Sequence, residues 1–358
     1  MKTLPSDFWA GKPSTGSRIK RLATFLQVFL AASISGCRHE TKSQAENVYE
    51  PGRLHELAGI ISADMAATEH QASSLAERVL AAYANFAENA GEVDSGNYRL
   101  ESNGVLHRPA AVEKDLPAVF VSGAVEVDSR IETIVKGTES IDPLLKELVT
   151  TGKIVVQSYY NDRHSYNRIY PPFDVLTQYS PGLEAPSYNF YYLADEKNNP
   201  SRRTTWINNP YVDPAGRGWM ISCLAPVYVD NELEGVCGLD ITVEALVRGL
   251  DLEANNHLCI LVSNDGTVVA AGEIMSRILR LPNLKSHRYV DTVRSDTLRT
   301  DDYNLRKSSS LSIRKMINEV TVDRMAETQL EVDGKSWRVR AAGVSRLDWH
   351  VLEFTPLP

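Results

Sequence analysis

Residues 219–229 (WMISCLAPVYV) and 235–242 (GVCGLDIT) decide the reading of the fold. Both runs are dense in β-branched, aliphatic and aromatic residues, which suit a pleated, buried surface. The polar run between them, Asp230-Asn231-Glu232-Leu233-Glu234, reads as the turn of an antiparallel hairpin. A short amphipathic helix is predicted behind the hairpin, over 243–250, and closes the first unit.

A second unit begins near Asn255. Residues 258–263 and 267–271 flank Asn264-Asp265-Gly266, a hairpin signal because Asp-Gly supplies the positive φ of a tight turn. Residues 328–332 and 335–344 flank Asp333-Gly334 in the same way, and 349–355 (WHVLEFT) make a last strand. Residues 273–320 are mixed, charged and carry no clear period.

Upstream of the hairpin, 161–186 are rich in Tyr and Pro, which rules out long regular structure. So aromatic a loop is expected to pack onto something. Strands are predicted at 118–121 and 154–160, with a short helix over 142–150 between them. Before these, residues 53–89 carry Leu54, Leu57, Ile61, Met65, Leu75, Val79, Leu80 and Tyr83 near helical spacing, with abundant Ala. A helix of that length is a rod of about 55 Å. Such a rod outruns one small domain, so it either supports two stacked units or pairs weakly with a second copy of itself. The sum is an α+β fold in which a long N-terminal helix supports two antiparallel sheets.

The first 36 residues read as an address. Lys12, Arg18, Lys20 and Arg21 precede an apolar run from Leu22 to Ala32, and Ile34-Ser35-Gly36-Cys37 follows. Eleven apolar residues are too few to span a bilayer and suit a secretory segment. The tetrapeptide resembles the bacterial lipobox, in which the cysteine receives diacylglycerol. Residues 1–36 are then a lipoprotein signal peptide, and 37–51 a lipidated cysteine with a polar tether. The expected location is the bacterial cell envelope, lipid-anchored and facing the periplasm or exterior. A buried segment ending in an ordinary cysteine is the plainer alternative.

The chain has 358 residues, 43% hydrophobic and 23% charged, with a net charge of −8. That composition fits a folded globular protein and opposes a main task of gripping nucleic-acid phosphates. No CxxC pair, HExxH, P-loop, GxSxG or GxGxxG occurs, and no two histidines stand three to five apart. No catalytic residue, metal ligand or cofactor is indicated, and the chain is read as a non-enzyme. Cys223, Cys237 and Cys259 sit in apolar stretches and read as small buried residues. A Cys223–Cys237 bridge is conceivable only if adjacent strands set the two side by side.

Several of these stretches together resemble one family. Phe190-Tyr191-Tyr192-Leu193-Ala194, Trp206, Pro210-Tyr211-Val212-Asp213, Ala225-Pro226-Val227-Tyr228 and Gly235-Val236-Cys237-Gly238-Leu239-Asp240-Ile241 are similar in order and spacing to the extracytoplasmic double-Cache (PDC) sensor. Asn264-Asp265-Gly266 and the Trp349 strand match its second lobe. The resemblance covers about 52–356 and implies two PAS-like lobes. One is a membrane-distal lobe, here 52–254 with the long helix, that binds a small ligand. The other is a membrane-proximal lobe, here 255–358.

In relatives that bind amino acids, an Arg and a Trp grip the carboxylate. Here Tyr188 and Phe190 stand in those places, so the carboxylate clamp is missing. Tyr211, Asp213 and Asp240 match positions that face the ligand's amino group. The resemblance therefore implies a small polar ligand, an amine or amino-acid-like molecule, held by Tyr188, Phe190, Tyr191, Trp206, Tyr211, Asp213 and Asp240.

The chemistry of these side chains agrees. An ammonium group is met by carboxylates through charge-assisted hydrogen bonds and by aromatic faces through cation–π attraction. Each residue also has a plain structural role open to it. Asp240 precedes a predicted helix and is placed to cap it, and Asp213 in Tyr-Val-Asp-Pro suits a turn. Trp206, Phe190 and Tyr191 suit a core, and Arg168 and Tyr170 suit loop packing. With no kinase, cyclase or methyl-accepting region in the sequence, a separate membrane signalling protein is the expected partner. A transport-associated solute-binding lipoprotein and an envelope enzyme are the competing classes.

Overall fold

The computed structural model describes residues 53–86, 95–212, 219–242, 244–246, 252, 258–282, 300–345 and 347–358. The signal segment, Cys37, the tether, Asp213 and most of the 243–250 segment lie outside the described residues.

Helix α1 (Arg53–Ala84) runs 32 residues, about 48 Å. Its unbroken run ends at Ala84, where Asn85 N–H turns back to the Ala82 carbonyl at 3.2 Å, and the expected end at residue 89 lies outside the described residues. Its buried stripe divides in two. Ala58, Ile61 and Met65 enter a core shared with Leu261, Trp349 and Val351, whereas Ala72, Leu75 and Val79 enter one shared with Tyr160, Cys223 and Leu239. Leu80, assigned to the stripe by spacing, is exposed beside Val79. The chain's own two sheets thus cover the stripe, and the physical reason for pairing α1 with a second copy falls away.

The first sheet contains β1 (Arg99–Leu100), β2 (Leu106–His107), β3 (Ala118–Val121), β4 (Gln157–Asp162), β5 (Tyr166–Tyr170), β6 (Thr205–Val212), β7 (Trp219–Val229) and β8 (Glu232–Thr242). Helices α2 (Ser129–Gly137) and α3 (Asp142–Thr150) precede β4, and two single turns, α4 (Val175–Gln178) and α5 (Asn189–Tyr192), lie between β5 and β6. The second sheet contains β9 (Leu258–Ser263), β10 (Val268–Ala271), β11 (Glu327–Val332), β12 (Lys335–Val344) and β13 (Trp349–Pro356). Helices α6 (Glu273–Ile278) and α7 (Leu311–Thr321) fall between β10 and β11.

Among the described residues all the strand pairs are antiparallel, and the two sheets repeat one plan. The first runs β1-β2-β3-β5-β4-β8-β7-β6 and the second β10-β9-β13-β12-β11. Counted from β4 and from β9, both read second, first, fifth, fourth, third. In both, the longest insertion separates the second strand from the third. The fold is α+β, a long N-terminal helix against two antiparallel sheets of the same strand order.

The deciding hairpin is tighter than its sequence suggested. Val229 pairs with Glu232, leaving Asp230 and Asn231 as a two-residue turn with φ of 49° and 69°. Both positive values mark the turn whose twist matches the flanking strands. Cys223 pairs with Leu239, and Cys237 with Ala225, so the two thiols are diagonal rather than opposite. Cys223, Cys237 and Cys259 are buried, the first two do not bridge to each other, and burial pushes the thiols of those two up.

Candidate ligand site

Alternation along the strands gives the first sheet two faces. Tyr160, Tyr166, Cys223 and Leu239 point to the face packed by α1, α2 and α3. Tyr159, Ile169, Leu224 and Val236 point to the other, which the Tyr- and Pro-rich segment 173–194 covers. The expectation that this segment packs onto something is met. Its backbone is tied down where Gly123 N–H donates to Pro181 O at 2.7 Å and Ala185 N–H donates to Ser165 Oγ at 3.1 Å.

Two glycines in GVCGLDI give the adjacent tyrosines of β4 their room. A methyl at Gly238 would overlap the Tyr159 ring, and one at Gly235 would overlap Tyr160 on the opposite face. Tyr159 thereby lies flat across β8, and Phe190 from the covering segment meets it edge to face at 6.2 Å. Tyr188 stacks on Phe190, with ring centroids 5.1 Å apart.

Asp240 sits on this covered face and is 2% exposed. It pairs across the sheet with Gln157 on β4 and Ser222 on β7. The Ser222 hydroxyl donates to Asp240 Oδ1 and shares a 2.6 Å hydrogen bond with the Tyr211 hydroxyl. Tyr159 lies beside this chain with its hydroxyl buried, near those of Ser222 and Tyr211 but without a well-formed hydrogen bond. Burial and then the Asp240 charge push the Tyr159 phenol far up, so it stays a neutral donor. At the start of the following helix Thr242 Oγ1 accepts from Ala245 N–H at 3.1 Å, a capping bond of the kind that Asp240 was placed to make.

Two other candidates sit elsewhere. Tyr191 is buried on the same face, but its charged neighbours are Asp162 and Glu234. Asp162 faces Gly235 in the pairing that sets Gln157 against Asp240, which puts it about 16 Å along the strand. Trp206 pairs with Cys223, so it belongs to the helix-packed face, and its indole N–H donates to Glu69 on α1 at 3.0 Å. It cannot wall the same space as Tyr211. Asp213 lies outside the described residues.

Arg168, read as loop packing, is on strand β5 and fully buried on the helix side, where it pairs with Asp142. Sequence reasoning missed Gln157, Tyr159 and Ser222. The signal for them was the Tyr159-Tyr160 pair and the two glycines that accommodate it. A shallow cleft of about 150 Å³ opens near Phe120, Tyr179 and Glu101, but Glu101 is already engaged by Arg99 and His107. Among the described residues, no cluster of metal-ligating side chains occurs and no helix is long and apolar enough to cross a membrane.

No family model and no curated protein matches the chain. Among solved structures, it is similar to the ligand-binding domain of the Pseudomonas fluorescens chemoreceptor CtaA in complex with L-alanine. That match has 16% identity and a TM-score of 0.47, over 85% of this chain and 94% of that one. The ligand-binding domain of the Pseudomonas aeruginosa amino-acid chemoreceptor PctC with GABA matches at 14% identity and a TM-score of 0.46, over 84% and 96%. That of PctB from the same organism, with L-Arg, matches at 14% and 0.45, over 85% and 87%. At these TM-scores the likeness is loose.

Proposed function

We propose that the chain is a double-Cache sensor module, lipid-anchored outside the cytoplasm, that holds a small polar amine against Asp240. It passes the bound state to a separate signalling protein. The observation that carries this reading is the buried Asp240–Ser222–Tyr211 chain on the face that segment 173–194 covers. The repeated strand order supports the two-lobed family reading, with the ligand lobe over 52–254 and the second lobe over 255–358. A carboxylate so deeply buried is costly unless it meets donors or a cation, and an ammonium group supplies both. Tyr159 and Phe190 offer aromatic surface beside it.

A thermal-shift screen over amines, amino acids, purines and organic acids identifies the ligand class, and a saturable shift without turnover separates a sensor from an enzyme. With an amine found this way, Asp240→Asn lowers affinity about 10- to 150-fold, the range of one charge-assisted hydrogen bond. Folding is little changed, because the amide oxygen still accepts from Ser222. Calorimetry on both chains decides it, and an equal Kd removes Asp240 from the site.

The anchor is tested independently. Cys37→Ser releases the chain into the soluble envelope fraction and blocks processing before residue 37. A variant that stays membrane-bound and is cleaved as before defeats the lipoprotein reading.

A further inference from the structure

Gln157 opens β4 directly across from Asp240, so the two side chains share the covered face. The residue is completely buried, and among the described residues neither its amide nitrogen nor its amide oxygen has a hydrogen-bond partner. Two positions along the same face, the buried Tyr159 hydroxyl lies near the Ser222 and Tyr211 hydroxyls without a well-formed hydrogen bond. Buried amides are almost always satisfied, and a leucine of similar size would fill this position without the penalty. Three adjoining polar groups on one face, one of them a wholly buried amide with both ends unsatisfied, mark a place that receives something polar.

We infer that Gln157, with Tyr159 beside it, reads a second and uncharged polar group on the ligand. The inference rests on the reading that Asp240 takes the ligand's ammonium group. The amide offers both a donor, Nε2–H, and an acceptor, Oε1, so its complement both accepts and donates. A carboxylate satisfies only the donor and brings like charge to Asp240. A hydrocarbon satisfies neither. A carboxamide or a hydroxyl satisfies both, and the ligand class is a small primary amine that carries one of them. Gln157 is then a specificity-determining residue, and it works against free amino acids by the same chemistry that favours their amides.

Calorimetry on the full chain in detergent tests this with four probes: glycinamide, ethanolamine, ethylamine and glycine. In the wild type, glycinamide or ethanolamine binds about tenfold tighter than ethylamine, as two neutral hydrogen bonds allow, and glycine binds more weakly than glycinamide. Gln157→Leu erases that advantage, leaves ethylamine binding unchanged and does not lower the melting temperature of the free chain. Gln157→Met, unbranched at the same length, replaces it if the leucine chain does not fold. If ethylamine binding depends on Asp240 but Gln157→Leu alters no preference, water satisfies Gln157, and this inference fails while the Asp240 reading stands. If none of the amines binds, the Asp240 reading fails and takes the inference with it.

Discussion

Asp142→Asn lowers the unfolding free energy by about 3–5 kcal/mol, the range for stripping a buried charge of its partner. Asp142 opens α3 and stands between two arginines. Arg168 on β5 bonds to it and also donates to the Tyr166 hydroxyl, to Tyr98 Oη at 3.0 Å and to Val135 O at 2.6 Å. Arg108 reaches the other Asp142 oxygen at 2.8 Å and Glu139 at 3.0 Å. Burial works against the charge on Arg168, but Asp142 and the two tyrosines outweigh it and hold the guanidinium protonated. Two arginines against two carboxylates leave the cluster neutral. Removing the Asp142 charge leaves Glu139 to serve both cations. The double variant Asp142→Asn/Arg168→Met recovers part of the loss, since Arg108 keeps Glu139. Denaturant titration of the three chains measures the coupling. A single-variant loss below about 1 kcal/mol would mean that water reaches Asp142 and that the cluster does not hold the helices to the sheet.

That cluster was invisible in the sequence for a physical reason. Tyr98, Arg108, Glu139, Asp142 and Arg168 span seventy positions and meet only once β3 and β5 pair beneath α2 and α3. Local signals did better. The turn signals at Asp265-Gly266 and Asp333-Gly334 located two hairpins, because positive φ is a single-residue demand, whereas the polar run 230–234 located the third but not its two-residue turn. Apolar runs located β3, β7, β9 and β13 closely. Strand β5 was missed because Tyr166–Tyr170 contains Asn167 and Arg168, polar residues that find partners only in the folded sheet. Strand β6 was missed for its Asn208, Asn209 and Pro210, and α7 because its stripe, Ile313, Met316, Ile317 and Val320, is broken by charges.

The candidate site divides along the same line. Asp240 and Tyr211 were legible as a family pattern, and the structure joins them through Ser222. Trp206 was not, because facing in a strand depends on register, and one residue decides which side of the sheet receives the ring. Simple alternation separates them: Trp206 and Tyr211 stand five residues apart, an odd number, and they lie on opposite faces of one strand because the slip in pairing between Ile207 and Tyr211 is two residues and keeps parity. Gln157 looked like any polar residue at a strand start. Only its burial opposite Asp240 gives it meaning.

Asp162 gives the last expected result, a stability that falls as pH rises from about 4 to about 7. The carboxyl lies at the end of β4, and its Oδ1 accepts from His164 N–H and Tyr166 N–H, both at 2.8 Å, while Oδ2 is buried without a partner. Burial pushes its pKa from 3.8 up to about 7, with the two backbone bonds and Arg163 opposing and Glu234 assisting. Between those values the folded chain keeps a proton that the unfolded chain has released. Stability is therefore full at low pH and declines through this window by about 4 kcal/mol, at 1.36 kcal/mol per pKa unit. His164 and His350, both held below their usual pKa by burial, act with the opposite sign and mask part of the decline. Comparison with Asp162→Asn isolates it. The asparagine oxygen still accepts from both amides and carries no charge, so the variant matches the wild type near pH 4 and exceeds it at pH 8. A difference between the two melting curves that stays flat from pH 4 to 8 would show Asp162 ionised in the native protein, with its outer oxygen reached by water. The position makes the result matter beyond stability. The Asp162–Tyr166 turn carries Ser165, whose hydroxyl holds the covering segment at Ala185, so the proton on Asp162 and the anchoring of the site's cover share one hairpin.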